Sequence, residues 1–294
     1  MTSKYAATNS KILCDSGLNF ESLLVDDCNL IPEIEVLLSL SAQANLSNLK
    51  RLGLFGHFCG GRPQCFNETL KAAGASITLM DRFICSGFSK TILLESTFKR
   101  PESSTLFSSS SQFISVPSVL GKGEEMPMKN YIQNLDEAEY SVALFQFLRL
   151  MNVPAKDIAI LAAYKGQVDL IKEVLQSRCS WTDYYGEPAF IGTMDQSIGL
   201  HFKSNQNDVY CNSNSFLDVI VSLVRTRSLG FLADSSRLEL AFSRATENLL
   251  VLASADLFEN QLNLNNLSLQ DGKSFENVEE LTKYVYDLSI KTLQ

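Results

Sequence analysis

Histidine is nearly missing from this sequence, which holds only His57 and His201. A zinc site would therefore have to be built on His57, Cys59 and Cys65, whose spacing matches no ligand pattern. The seven cysteines (Cys14, Cys28, Cys59, Cys65, Cys85, Cys179 and Cys211) are odd in number and never fall as C-x-x-C. They read as scattered reduced thiols, many of them buried, rather than as a disulfide framework or a redox motif. A G-x-S-x-G elbow is also missing, which removes the usual footing of a hydrolase triad. No apolar run is long enough to span a membrane, and the opening MTSKYAATNSKILCDSG has no long apolar core of the secretory kind. The expectation is a soluble intracellular protein with no membrane partner. Basic charge is scarce too. A formal net charge of −8 excludes nucleic-acid binding by a broad basic surface, so any such contact has to be local. Lys50-Arg51, Lys99-Arg100 and Arg225/Arg227 are the small clusters available, and clusters of that size are also ordinary solvated faces.

What the chain does have is alternation. Its 294 residues, 45% hydrophobic, suffice for one large or two smaller domains. ESLLVDD reads as a strand, PEIEVLLSLSAQ as a helix beginning at Pro32, NLKRLGLF as a strand, FNETLKAAG as a helix closed by Gly74, and KTILLES as a strand. PESSTLFSSSSQF and VPSVLGKGEEMP, rich in Ser, Pro and Gly, read as loop or linker. Beyond them come helix LDEAEYSVALFQFLRL, strand DIAILAAY, helix GQVDLIKEVLQSR, strands AFIGTM and LDVIVSLV, a helix rich in arginine, and strand NLLVLAS. A closing amphipathic helix carries Val278, Leu281, Val285 and Leu288 on one side. The pattern predicts an α/β fold of parallel sheets flanked by helices, with segments at 1–100, 101–129, 130–260 and 261–294.

The arginine helix can be placed from Ser236-Arg237-Leu238-Glu239, whose S-x-x-E spacing predicts a capping box and a start near Arg237. Arg237 and Arg244, seven apart, are then expected on one face. An anion site and two solvated arginines fit that pattern equally. Asp26 and Asp27 end a strand, where a nucleotide hydrolase keeps the acid that holds magnesium, although paired acids there are also common in solvated loops. Gly56 to Pro63 has the G-x-x-x-x-G outline of a phosphate loop. Arg62 takes the Lys place and Pro63 the Ser/Thr place, which removes the magnesium-binding hydroxyl, so a plain turn is preferred.

In this order, LLVDDCNLIPEIEVLLSL, LKRLGLFGHFCGGRPQ, TFKRP, YIQNLDEAEYSVALFQFLRL, AILAAYKGQVDLI, TMDQSIG, VSLVRTRSLGFLADSSRLELAFSRA and DLFEN resemble the Upf1-like group of superfamily 1 RNA helicases, most of all a spliceosomal, intron-binding branch. The resemblance implies a RecA-like, P-loop NTPase helicase fold with an incomplete first domain. It implies ATP and Mg²⁺ as cofactors, single-stranded RNA and spliceosomal proteins as partners, and nuclear localisation. By resemblance Asp26 and Asp27 are the Walker B acids, with Asp26 on the magnesium. Lys99, or its rival Arg100, reaches the nucleotide phosphates. Tyr164, Gly166 and Gln167 form the Y-x-G-Q element on the nucleotide side, Thr193, Asp195 and Gly199 the T-x-D-x-x-x-G element, and Arg237 and Arg244 the last motif. Thr193 and Asp195 are expected to meet RNA, Gly199 and Arg237 the nucleotide, and Arg244 to be the finger on the γ-phosphate.

Departures qualify this reading. His57 and Gly60 stand where the family has Asp and Gln, Ile198 replaces a Gln, Thr246 replaces a basic residue, and either Asp208 or Asp218 is the acid that follows the insertion. Met1 lies 25 residues before Asp26, too few for a first strand, a G-x-x-x-x-G-K-[ST] loop and its helix. The expectation is a chain that does not hydrolyse ATP alone. The alternative is a degenerate, noncatalytic RNA- or protein-binding module on the same fold.

Overall fold

A computed structural model describes residues 2–56, 62–63, 65, 67–87, 90–92, 106–117, 123–197, 216–233 and 235–293. The chain divides into two compact units, Met1–Ser96 and Thr97–Gln294.

The first unit contains α1 (Ser3–Thr8), α2 (Ser10–Asp15), β1 (Ser22–Val25), α3 (Glu33–Leu40), β2 (Arg51–Leu54), α4 (Glu68–Ala72) and α5 (Leu79–Ser86). β1 and β2 run parallel, in register from Ser22↔Arg51 to Val25↔Leu54. Pro32 sits one place before α3, as its N-cap with φ −57° and ψ 140°, rather than inside the first turn. Gly74, at φ +88°, follows α4, a conformation in which a Cβ would be strained. α5 lies where no helix is expected from the apolar pattern. Its start is a capping box in which Thr78 accepts from the Asp81 N–H and Asp81 accepts from Thr78. Of the expected KTILLES strand, Lys90 to Ile92 carry no strand and the remainder lies outside the described residues. A small core of Cys28, Val36, Leu79 and Met80, with Val25, Ile31 and Leu54 against it, holds the unit together.

The second unit is built around one five-stranded, wholly parallel sheet in the order β3 (Ser111–Ser115), β9 (Ala245–Ala253), β8 (Phe216–Ser222), β6 (Ile158–Ala162), β7 (Phe190–Thr193). A hairpin of β4 (Glu125–Met128) and β5 (Tyr131–Gln133) precedes α6 (Leu135–Leu150). α7 (Lys165–Cys179) follows β6, α8 (Ser235–Phe242) precedes β9, and α9 (Ala255–Phe258) follows it. A short antiparallel pair, β10 (Leu267–Ser268) and β11 (Ser274–Phe275), leads into α10 (Val278–Leu293). This is the α/β arrangement that the alternation predicts, and it is consistent with the RecA-like fold that the resemblance implies.

Both sheet faces are covered, as parallel sheets require. Ile158, Ile160, Ala162, Ile220, Leu250 and Leu252 pack on one side with α6, α7 and α10. Ala159, Leu161, Val219, Val221, Leu249 and Val251 pack on the other with Leu238, Ala241 and Phe258. α6 is buried along almost its whole length because it lies between the sheet, α7 and α10.

Two sequence expectations need correcting here. The stretch taken as loop or linker carries β3 and β4, and β3 is an edge strand of the main sheet. α8 starts at Ser235 and stops at Phe242, and β9 opens at Ala245, so Arg244 lies in the turn between them and not on the helix face with Arg237. The proposed capping hydroxyl of Ser236 lies outside the described side chains.

Candidate functional site

Ligands of open parallel sheets bind beyond the carboxyl ends of the strands. In the second unit that edge collects Tyr164, which caps α7 just after β6, Thr193 at the end of β7, Asp195 in the next turn, Arg225 beyond β8, and Arg237 on α8. The side chains alternate cation and ring. The Arg237 guanidinium lies 4.4 Å above the Phe231 ring, and Phe231 is 4.6 Å from the Tyr164 ring, centre to centre. Arg225 sits 5.7 Å from the Tyr164 ring centre and donates from Nη1 to its hydroxyl at 3.2 Å. Such contacts strengthen as water is excluded. The two arginine side chains are only 11% and 12% exposed, and each meets an acid. Arg225 Nε is 3.0 Å from Glu124 Oε2, and Arg237 Nη1 is 3.4 Å from Asp195 Oδ2. Burial raises the Tyr164 hydroxyl pKa, and the neighbouring Arg225 opposes that rise. Gln196 brackets Thr193, accepting from its N–H at 3.0 Å and donating its own N–H to Thr193 Oγ1 at 3.3 Å.

Beneath this row lies a buried polar network. Val224 has φ +72°, and the Arg225 N–H donates to Leu223 O at 2.8 Å, closing a three-residue γ-turn. Positive φ at a β-branched residue costs on the order of 1–3 kcal/mol and persists only where the surroundings impose it. Here they do. Glu137, buried in α6, accepts at Oε2 from the Val224 N–H at 2.8 Å and from Ser222 Oγ at 2.6 Å. Desolvation pushes the Glu137 carboxyl up to about 7 against these donors. Gln167, fully buried, accepts from the Asn134 N–H at 2.7 Å and donates to Asn134 O at 2.9 Å and to Ser222 Oγ at 3.1 Å. Its amide therefore ties α6, α7 and β8 together.

Glu124 grips the loop from outside the sheet. Its Oε2 accepts from the Thr226 N–H at 2.8 Å and the Arg227 N–H at 3.4 Å, while its own N–H donates to Thr226 Oγ1 at 3.1 Å. Sequence reading missed Glu124, Glu137 and Phe231. A signal existed for Glu137: Asn134 and Glu137 have capping-box spacing, and Asn134 does accept from the Glu137 N–H at 3.3 Å. The Glu137 carboxylate turns instead to the β8 loop.

The remaining candidates fall elsewhere. Arg244 donates from Nε to Leu240 O and from Nη2 to Ser243 Oγ, both at 3.3 Å. In the first unit, Asp26 and Asp27 follow β1, with Asp27 at φ +49° and its N–H donating to Asp26 Oδ1 at 3.0 Å. Asp26 is exposed and keeps a second oxygen, which suits the single-carboxylate contact magnesium commonly makes alongside nucleotide phosphates and water. Among the described residues no group of three or more His, Cys, Asp or Glu could hold a metal by itself. Arg62 pairs with Asp81, and neither Arg62 nor Pro63 is helical; α4 begins only at Glu68, behind the Asn67 cap, so these residues do not form a phosphate loop's helix start. Asp218 is buried on β8. Lys99, Arg100, Gly199, His57, Gly60, Ile198 and Asp208 lie outside the described residues.

A family model described as an AAA domain matches residues 89–256. The mouse protein named RNA helicase aquarius is 31% identical, over 88% of this chain and 19% of that relative. The fission yeast pre-mRNA-splicing factor cwf11 is 33% identical, over 61% of this chain and 13% of that relative. The chain thus spans a minor part of the curated relatives it matches. With the family match covering more than half the chain and the parallel sheet beneath it, the chain belongs to the AAA-domain family of Upf1-like superfamily 1 helicases and is Aquarius-like.

Proposed function

We propose that the second unit is the second motor lobe of an ATP-dependent RNA helicase that acts in pre-mRNA splicing, and hence in the nucleus, with RNA and spliceosomal proteins as partners. The observation that carries this reading is the row of Tyr164, Thr193, Asp195, Arg225 and Arg237 at the carboxyl ends of β6, β7 and β8. When bound, ATP with Mg²⁺ would supply the phosphoryl transfer that drives movement. Arg237 and Arg244 are the fixed positive charges for its phosphates, Lys99 or Arg100 an additional one, and Asp26 the magnesium carboxylate with Asp27 beside it. Tyr164 offers a ring on the nucleotide side, while buried Gln167 acts by holding the start of α7. Thr193 and Asp195 face RNA. Asp195 also pairs with Arg237, so an expected RNA contact touches an expected phosphate contact.

An arginine finger is worth about 10³–10⁵ in rate, but only on a nucleotide already held by a phosphate loop with its lysine. G-x-x-x-x-G-K-[ST] does not occur in these 294 residues. Phosphate release by the purified chain with ATP, Mg²⁺ and single-stranded RNA is therefore predicted to stay at the level of a buffer control. Robust turnover that disappears in Arg244→Ala would overturn this.

A further inference from the structure

The sequence shows Arg225 and Arg227 as one small basic cluster, but the fold treats them differently. Arg225 is interior and already neutralised by Glu124. Arg227 is exposed, and what is fixed there is its backbone, through the N–H that Glu124 accepts. We propose that Arg227 is a phosphate-contacting residue at the tip of the 223–228 loop, and that Glu124 and Glu137 are positioning residues that set this tip. The proposal deepens the helicase reading above and rests on it.

Three observations carry it. The loop leaves β8, the central strand of the sheet, at the carboxyl end where ligands of this architecture bind. Its entry is the Val224 γ-turn, in a conformation that an unconstrained loop of this composition would not adopt. It is clamped from both sides by carboxylates that are themselves buried: Glu137 on the Val224 N–H, and Glu124 on the N–H groups of Thr226 and Arg227. Two glycines at positive φ allow the close approach. A Cβ on Gly123 would stand 2.9 Å from Thr226 Oγ1, and one on Gly230 would stand 3.2 Å from the Tyr164 hydroxyl. The outcome is an outward guanidinium on a preset loop, and a planar fork of permanently charged donors suits phosphate oxygens. Those oxygens can belong to an RNA backbone or to a nucleotide.

Fluorescence anisotropy of the full chain separates the sources, using a fluorescein-labelled ten-nucleotide oligo(U) in one arm and a fluorescent ATP analogue in the other. Arg227→Ala is expected to weaken one probe by about five- to tenfold, and Arg227→Lys to recover part of the loss. If the probe is RNA, the slope of log affinity against log salt should also fall by about one. Glu137→Ala, with Glu124→Gln as a second route to the same loop, should weaken binding in the Arg227 background and add little in Arg227→Ala. Additive losses would mean that the acids act elsewhere and would overturn the positioning claim. Unchanged binding of both probes by Arg227→Ala, with oligo(U) still bound, would remove this inference and leave the helicase reading standing. Failure of the unsubstituted chain to bind either probe would overturn both.

Discussion

Asp218 shows how a single buried acid shapes this protein's pH response. It lies in β8 with Oδ1 accepting from Asn248 Nδ2, while Asn248 Oδ1 has no partner among the described residues. Desolvation pushes its carboxyl up to about 6 from an ordinary 3.8. The folded state therefore holds this proton more tightly than the unfolded chain, and the contribution of Asp218 to stability falls as pH rises from about 4 to about 6, then levels off. Asp218→Asn removes the ionisation and supplies an N–H for Asn248 Oδ1. It should raise stability at pH 7, by an amount on the order of 1–3 kcal/mol. Thermal melts between pH 4 and pH 8 check this: the variant should show a flatter profile over the lower half and a higher melting temperature at pH 7. A variant less stable at pH 7 would show that the carboxylate is held better than its burial implies. At this scale, Tyr164, Asp195 and Arg237 could be read from the sequence because each belongs to a compact motif. Glu137 showed only its cap spacing with Asn134 and Glu124 showed no signal, because the partners that define their roles lie 85 and 102 residues away.

Among the elements, the closing helix and the buried strands declared themselves through periodicity. Leu281 and Val285 are buried in α10 with Val278 and Leu288 beside them, as the stripe requires. β3 did not declare itself. Its sequence SQFIS offers only two apolar residues, and one buried position is Gln112. That amide replaces apolar burial with hydrogen bonds: Nε2 donates to Ser268 O, and Oε1 accepts from the Ser268 N–H at 2.9 Å. Gln112→Ala would take the acceptor from the Ser268 N–H, leave Ser268 O with the Ser108 N–H at 3.1 Å, and loosen β3 from β10. A loss of roughly 1–3 kcal/mol in chemical denaturation is expected, and an unchanged midpoint would contradict the role given to this edge. The boundary of α8 was misjudged for a related reason. The apolar residues Leu238, Ala241, Phe242 and Ala245 satisfy helical spacing, yet pairing with β8 takes Ala245 into β9 and leaves Arg244 in the turn. Local periodicity cannot register a strand partner so distant in sequence.

For the molecule as a whole, the α/β class followed from alternation, and the second unit forms the sheet that alternation implies. The site was partly legible. Tyr164, Arg225 and Arg237 were visible in the sequence, whereas Phe231 was not, and the clamp that fixes the loop depends on tertiary contacts between α6, the β4 approach and the end of β8. The central claim is that the carboxyl edge of this sheet is where the chain meets its phosphate-bearing ligands. Hydrogen–deuterium exchange of the full chain, with and without saturating single-stranded RNA and an ATP analogue, tests it most directly. The account predicts ligand-dependent protection concentrated at residues 163–167, 193–197 and 223–233; saturable binding that leaves these segments unchanged and protects others would contradict it.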